Sequence, residues 1–360
     1  MKNLNRISAL KQAAFTENDF DGYLIFNSVN LLYFTGCSGS SALLIPAEGE
    51  NVLYVYSVNY EQTKAQAAGF QVELVKANEN LTLIVAEQIK RFKIKKLVVD
   101  TVNVENWQLL TKELGAEDAV CVNNSFVQSL RRVKDKTEIA LMRKAAELTS
   151  IGMRVAAETV RAGVKEYEVA AEVEYAMRKR GAGSTAFETI VASGLNSAFP
   201  HGGCSNRKIR KGDLVVVDIG ATCQNYCSDM TRTFVAGKPT EKQLKIYDIV
   251  KDAQEAACKA VKAGAAAPLV DAAARQIISK AGYGDNFVHR LGHGVGLEVH
   301  EAPTLGPYSP DVLAAGNVVT VEPGIYVVGF GGVRIEDTVL VKADSAEKLT
   351  SGCGSLLLDV

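Results

Sequence analysis

Short runs of β-branched and aliphatic residues, separated by polar or glycine-bearing turns, punctuate the first 130 residues of the chain. GYLIF (22–26), SALLI (41–45), VLYVYS (52–57), FQVELV (70–75), KLVVD (96–100) and AVCV (119–122) have the length and composition of strands. The polar PAEGEN between the second and third predicts a hairpin. Stretches around 79–92 and 104–114 instead space their apolar residues at helical intervals. This alternation predicts an α/β unit with a mixed sheet. It carries no catalytic constellation, and no histidine falls in it.

The basic and polar LRRVKDKTE (130–138) breaks the pattern and predicts a boundary between domains 1–130 and 131–360. A long helix is expected from about 137 to 161, with Leu141, Ala145, Leu148 and Val155 along one stripe. Beyond it the chain repeats itself. Residues 160–183 lie on 261–284 without gaps, so that Val160, Gly163, Val169, Gly181 and Gly183 fall on Val261, Gly264, Val270, Gly282 and Gly284. Downstream, KGDLVVVD (211–218) lies on AGNVVTVE (315–322), with Gly212 and Gly316 each six residues ahead of an acid. Each half therefore predicts a helix pair followed by a strand that ends in a carboxylate, and the two halves predict a pseudo-two-fold axis.

Those strand ends are where the pattern turns into chemistry. Asp218 stands in VVVDIGA, Asp229 in CSDMTRTF, Glu322 in TVEPGIY and Glu336 in VRIEDTVLV, while His293 stands in the glycine-rich HRLGHGVGLEVHE. A charge inside or just after an apolar strand needs a partner. Four carboxylates packed together repel and are costly to bury, whereas two divalent cations balance them. The five residues are therefore the candidate ligands of a two-metal hydrolytic site.

Composition narrows the class. The chain has 360 residues and a formal net charge of −1, which makes no electrostatic case for nucleic acid or an anionic membrane. It holds no run of membrane-spanning length, and MKNLNRISALKQAAF lacks the features of a secretory signal, so a cytoplasmic protein is expected. Seven scattered cysteines fit reduced thiols. Cys223 and Cys227 have no second cysteine pair with which to build a metal site.

The motifs HxxxHGxG, HExP, EPGIY and VRIEDT, in this order and on this duplication, resemble the pita-bread metallopeptidases. The branch is that of Xaa-Pro aminopeptidase (aminopeptidase P) and Xaa-Pro dipeptidase (prolidase). The resemblance covers essentially the whole chain, since NLLYFTGCSGSSALLI (30–45) is similar to the opening of a creatinase-like N-terminal domain. It implies an α/β creatinase-like domain with a mixed sheet and an α+β pita-bread catalytic domain with pseudo-two-fold duplication. It also implies two divalent ions per subunit, one held by Asp218, Asp229 and Glu336, the other by His293, Glu322 and the same bridging Asp229 and Glu336. Oxygen-rich ligation with one imidazole favours Mn²⁺, with Co²⁺ or Zn²⁺ as alternatives. A hydroxide shared by the metals would attack the first peptide carbonyl, the substrate's α-amino group would bind near Asp218, and Glu322 would shuttle the proton.

All four histidines of the chain fall inside these motifs: His201 in FPHGG, His289 and His293 in HRLGH, and His300 in VHEAP. By resemblance His201 and His300 flank the substrate and stabilise the oxyanion or leaving group, and His289 shapes the pocket for the residue after the scissile bond. Arg334 would orient Asp218 or Asp229. LGHGVG lacks the spacing of a dinucleotide fingerprint; its glycines are expected to let the backbone pass close to the metal beside His293.

Short peptides with proline second are the expected partners. Thr304 stands where Xaa-Pro dipeptidases often carry an arginine after HExP, which favours the aminopeptidase, with the dipeptidase as the alternative. A peptide-binding protein that kept the fold but lost the chemistry would lack some of the five ligands, as would a metal-free relative such as creatinase, and all five are present. A methionine aminopeptidase shares the ligands but not the first 130 residues or the EPGIY wording. The N-terminal unit is expected, by resemblance, to pack over the catalytic mouth and to join subunits as a homodimer.

Overall fold

The computed structural model describes residues 2–16, 18–115 and 117–351. The chain divides into two units, Met1–Arg131 and Arg132–Val360.

In the first unit the six expected strands form one mixed sheet. Its order is Gln71–Val75, Val52–Tyr56, Ala42–Pro46, Gly22–Ile25, Leu97–Val99, Val120–Val122. Ala42–Pro46 pairs antiparallel with both of its neighbours, Val52–Tyr56 and Gly22–Ile25, and the remaining neighbours are parallel. Leu24, Leu44, Tyr54, Val85, Ile89 and Val99 are among the residues of its core. Asparagines start three helices. The side chains of Asn27, Asn80 and Asn103 accept hydrogen bonds from the first free backbone N–H groups of Ser28–Thr35, Leu81–Arg91 and Val104–Leu114. The helix Ser28–Thr35 has no sequence periodicity because it is buried on several sides, at Asn30, Leu31, Tyr33, Phe34 and Thr35. Asp100, at the end of KLVVD, is buried but satisfied: it accepts from Phe26 N (2.9 Å) and Asn30 Nδ2 (2.8 Å), and Asn30 Oδ1 accepts from Arg131.

In the second unit the duplication is built twice in the backbone. Asp135 with Glu138, and Thr240 with Gln243, form reciprocal caps that open the helices Lys136–Thr159 and Glu241–Ala260. Each helix ends at the valine the repeat aligns, Val160 and Val261. A second helix of 14 residues follows in each half, Glu166–Lys179 and Ala267–Lys280. Gly163 and Gly264 have φ of 94° and 80°, and Gly212 and Gly316 have φ of 87° and 91°. These turns need a left-handed residue, which explains why the glycines repeat. The long helix buries more than the expected stripe: Met142, Ala146, Gly152, Met153 and Ala156 join Ala145 and Leu148, while Leu141 and Val155 are half-buried.

Each half carries an antiparallel sheet. The first orders Met230–Val235, Leu214–Ile219 and Ile190–Ser193. The second orders Glu301–Leu305, Gly292–Gly294, Val318–Val321, Asp337–Val341 and Ala346–Lys348, beside a hairpin of Gly324–Val327 and Gly331–Arg334. Each half also has its own apolar core, one around Val217, Phe234 and Val173, the other around Val250, Val319 and Ile278.

Threonine hydroxyls join the two halves. Thr233 Oγ1 donates to Arg334 O and accepts from Arg334 N. Thr338 Oγ1 donates to Asp229 O and accepts from Asp229 N. Glu336 N donates to Thr231 O. Asp229 and Glu336, distant in sequence, are thereby set side by side.

The six described cysteines are free thiols, and Cys353 lies outside the described residues. Among the described residues no helix is long and apolar enough to cross a membrane.

Candidate metal centre

Every strand-end acid singled out by the sequence, with His293, lines one cavity of about 1240 Å³ in the second unit. Asp218 lies in the strand Leu214–Ile219, Asp229 just before Met230–Val235, and Glu322 just after Val318–Val321. Glu336 lies between Gly331–Arg334 and Asp337–Val341, and His293 lies in Gly292–Gly294. One ligand atom each of Asp229, His293 and Glu336 comes within 4.8 Å of the others. Glu322 Oε1 lies 3.3 Å from His293 Nε2, and Asp229 Oδ2 lies 3.7 Å from it.

The side chains are oriented from behind. His293 Nδ1 meets the carbonyl oxygen of Gly294 at 3.1 Å; with the proton on Nδ1, Nε2 is left as a ligand aimed at the carboxylates. Thr231 Oγ1 donates to Glu336 Oε2 at 2.6 Å, and Thr320 Oγ1 donates to Glu322 Oε1 at 3.3 Å. Arg334 is buried and fully engaged. Its guanidinium donates to Asp218 Oδ2 (2.8 Å), the Tyr326 hydroxyl (2.8 Å), Thr231 Oγ1 (3.0 Å) and Pro200 O (3.3 Å). It therefore acts on Asp218 rather than Asp229. Thr231, Thr320 and Tyr326 were not singled out by sequence. Their signal is faint, a polar residue on the site side of a strand among apolar neighbours.

Two oxygens stand out from this web. Asp218 Oδ1 and Asp229 Oδ1 are buried and accept no hydrogen bond, although their partner oxygens or backbone groups are engaged. A buried carboxylate oxygen without a partner is costly. A bound cation removes that cost, and the set of four carboxylates and one imidazole suits a hard or borderline divalent ion. The residues therefore fit divalent metal.

Electrostatics agree with that fit. Burial, then the charge of Asp218, pushes the Asp229 carboxyl well above its ordinary value, and burial, then Asp229, does the same for Glu336. For Glu322 burial pulls upward, but the hydrogen bond and charge of His293 prevail and hold it below the ordinary range. For His293 burial pulls downward, but Glu322 and Asp229 lift it to about 9. These are the marks of acids packed without enough positive charge.

The remaining histidines line the same cavity. His289 has one ring nitrogen 3.0 Å from the Tyr326 hydroxyl and the other 2.7 Å from Arg290 O. Burial lowers its basicity. The His300 ring stands 4.2 Å from that of His293, and burial with the His293 charge lowers its basicity too. His201 is exposed at the cavity wall.

The glycines of LGHGVG serve close strand packing: a Cβ on Gly292 would stand 2.1 Å from Thr320 O, and one on Gly294 2.4 Å from Ala302 O. Glu301, of HExP, points into a brace. It pairs with the buried Lys134 at 3.2 Å and accepts from Glu298 N at 3.0 Å.

The family model described as metallopeptidase family M24 matches residues 140–343, and that of the creatinase/prolidase N-terminal domain matches 6–133. The Xaa-Pro dipeptidase of Pyrococcus furiosus is 41% identical over 341 residues, covering 93% of this chain and 94% of its own. The solved Xaa-Pro dipeptidase from Bacillus anthracis has a TM-score of 0.93 at 38% identity, covering 99% of both chains. An X-Pro aminopeptidase from Thermotoga maritima is also similar, with a TM-score of 0.84 at 37% identity, covering 93% of this chain and 97% of its own. These names favour the dipeptidase, the second of the two sequence readings, over the aminopeptidase.

Proposed function

This chain belongs to metallopeptidase family M24, and from that premise we propose that it is an Xaa-Pro dipeptidase, hydrolysing the bond between a first residue and a proline that bears the free carboxylate. The observation that carries the reading is the pair of buried, unpartnered oxygens of Asp218 and Asp229 beside His293 Nε2, which faces the carboxylates of Glu322 and Asp229. Two divalent ions, in our reading Mn²⁺, would be held by Asp218, Asp229 and Glu336 and by His293, Glu322, Asp229 and Glu336. When bound, they supply an activated water and electrophilic help to the scissile carbonyl.

The chain's own residues do the rest. Asp218, fixed by Arg334, receives the substrate's α-ammonium group and sets which carbonyl is presented. Water oxygen adds to that carbonyl carbon, the carbon–nitrogen bond breaks, and the proline nitrogen takes up a proton to leave as a secondary amine. Glu322 carries that proton from the water. His201 and His300 donate to the charge that develops on the carbonyl oxygen. The N-terminal domain, residues 1–130 in this reading, would limit peptide length and join subunits as a homodimer.

A substrate panel with and without chelator tests the proposal. Xaa-Pro dipeptides should be cleaved and Xaa-Pro-Xaa tripeptides should be poor substrates. A chelator should abolish the rate and lower the melting temperature, because an ion bound only by the folded state stabilises it. Mn²⁺ should restore both. Faster cleavage of the tripeptide would return the assignment to the aminopeptidase, and no cleavage of either substrate with Mn²⁺, together with a melting temperature indifferent to chelator, would leave a binding protein. His201→Ala and His300→Ala should each keep metal but lose on the order of 10²–10³-fold in kcat. Full rate in a metal-loaded His300→Ala enzyme would remove that residue from the mechanism.

A further inference from the structure

An arginine at the cavity wall has no hydrogen-bond or ion-pair partner among the described residues, and the dipeptide's second charge is a carboxylate. We propose that Arg290 binds the free C-terminal carboxylate of the substrate and so selects dipeptides; this rests on the dipeptidase reading above. Three arginines, Arg275, Arg290 and Arg334, are the permanent cations among the residues lining the cavity. Two are already committed. Arg334 is buried among Asp218, Tyr326, Thr231 and Pro200. Arg275 makes a two-pronged pair with Asp271, at 2.7 and 2.9 Å, and donates to Phe287 O and His289 O.

Arg290 alone is exposed, and among the described residues its guanidinium meets no hydrogen-bond acceptor and no carboxylate. Its position is nevertheless built. Its carbonyl oxygen meets His289 Nδ1 at 2.7 Å, and the next residue, Leu291, donates its N–H to Asp271. Its aliphatic stem lies across Gly306, where a Cβ would stand 3.1 Å from Arg290 Cγ. The missing side chain at Gly306 thus leaves the stem a bed on the cavity wall. His289, beside it in sequence, lines the same cavity as the candidate metal ligands. A planar, permanently charged fork matches a carboxylate with two hydrogen bonds. Thr304, also in the wall, is uncharged, so the cation comes from the His289 side of the cavity instead.

The test compares an Xaa-Pro dipeptide with its C-terminal amide, which lacks the charge. For Arg290→Ala, KM for the dipeptide should rise roughly 10- to 100-fold with kcat within about threefold, the size expected of a charge-assisted hydrogen bond. Its kcat/KM on the amide should match the parent's, which also reports that the fold and metals are intact. Arg290→Lys should recover part of the loss. Equal losses on dipeptide and amide, or no loss on either, would overturn the role of Arg290 while leaving the dipeptidase reading standing. A parent enzyme that cleaves no Xaa-Pro dipeptide at all would remove that reading first, and this proposal with it.

Discussion

Glu336→Gln protein, prepared with excess Mn²⁺ and dialysed, should retain neither metal ion at stoichiometric level and should lose at least about 10³-fold in kcat/KM, since electrophilic and nucleophilic help from metal amounts to several kcal/mol. Glu336 is 1% exposed, its carboxylate shares a 4.8 Å cluster with Asp229 and His293, and in our reading it bridges both ions. The amide keeps the shape and can still meet Thr231, which holds Glu336 Oε2 at 2.6 Å. The variant should therefore melt as the metal-free parent does, which separates lost ligation from lost fold. His293→Ala gives the contrast, because it contributes to one ion and should lose mainly that one. A Glu336→Gln protein holding two equivalents of metal would show that the carboxylate is not a bridging ligand.

The second large effect is expected at Arg334. Arg334→Leu removes a buried cation and leaves the Asp218 carboxylate and the Tyr326 hydroxyl without their donor. Breaking a buried pair on one side costs about 3–5 kcal/mol, which is roughly a 10 °C fall in melting temperature for a unit of this size. The rate should also fall, by about 10- to 100-fold, because Asp218 is no longer held in its orientation. Arg334→Lys keeps the charge but cannot span Asp218, Tyr326 and Thr231 together, so it should lie between the two. A melting temperature within about 2 °C of the parent would show that the guanidinium is not a stabilising centre of the site.

Much of the fold was legible because its signals are local. Six short apolar runs became the six strands of the first unit, and two equal helices followed the glycines that the duplication aligned. The same logic failed for Ser28–Thr35, whose burial on several sides leaves no stripe to read. Its reading of substrate length, which put the aminopeptidase first, rested on Thr304, whereas relatives such as the Xaa-Pro dipeptidase of Pyrococcus furiosus favour the alternative it named. Thr304 is one position in a wall to which Arg290 contributes from another strand's approach, and a single motif cannot report on a cation delivered from elsewhere.

What the sequence determined by itself was chemistry and number: four acids at strand ends, two in each half, a fifth ligand-type residue, His293, in a glycine-rich run, and every histidine inside a motif. The tertiary structure alone decided which acids are available. KLVVD and VVVD read alike, yet Asp100 is satisfied by Phe26, Asn27 and Asn30, while Asp218 and Asp229 each keep a buried oxygen with no donor. Glu301 sits in a metallopeptidase motif and is spent on Lys134. The physical reason is that a strand's pattern depends on its own residues, whereas the fate of a carboxylate depends on donors brought from far along the chain, as Thr231 is brought to Glu336 across 105 positions.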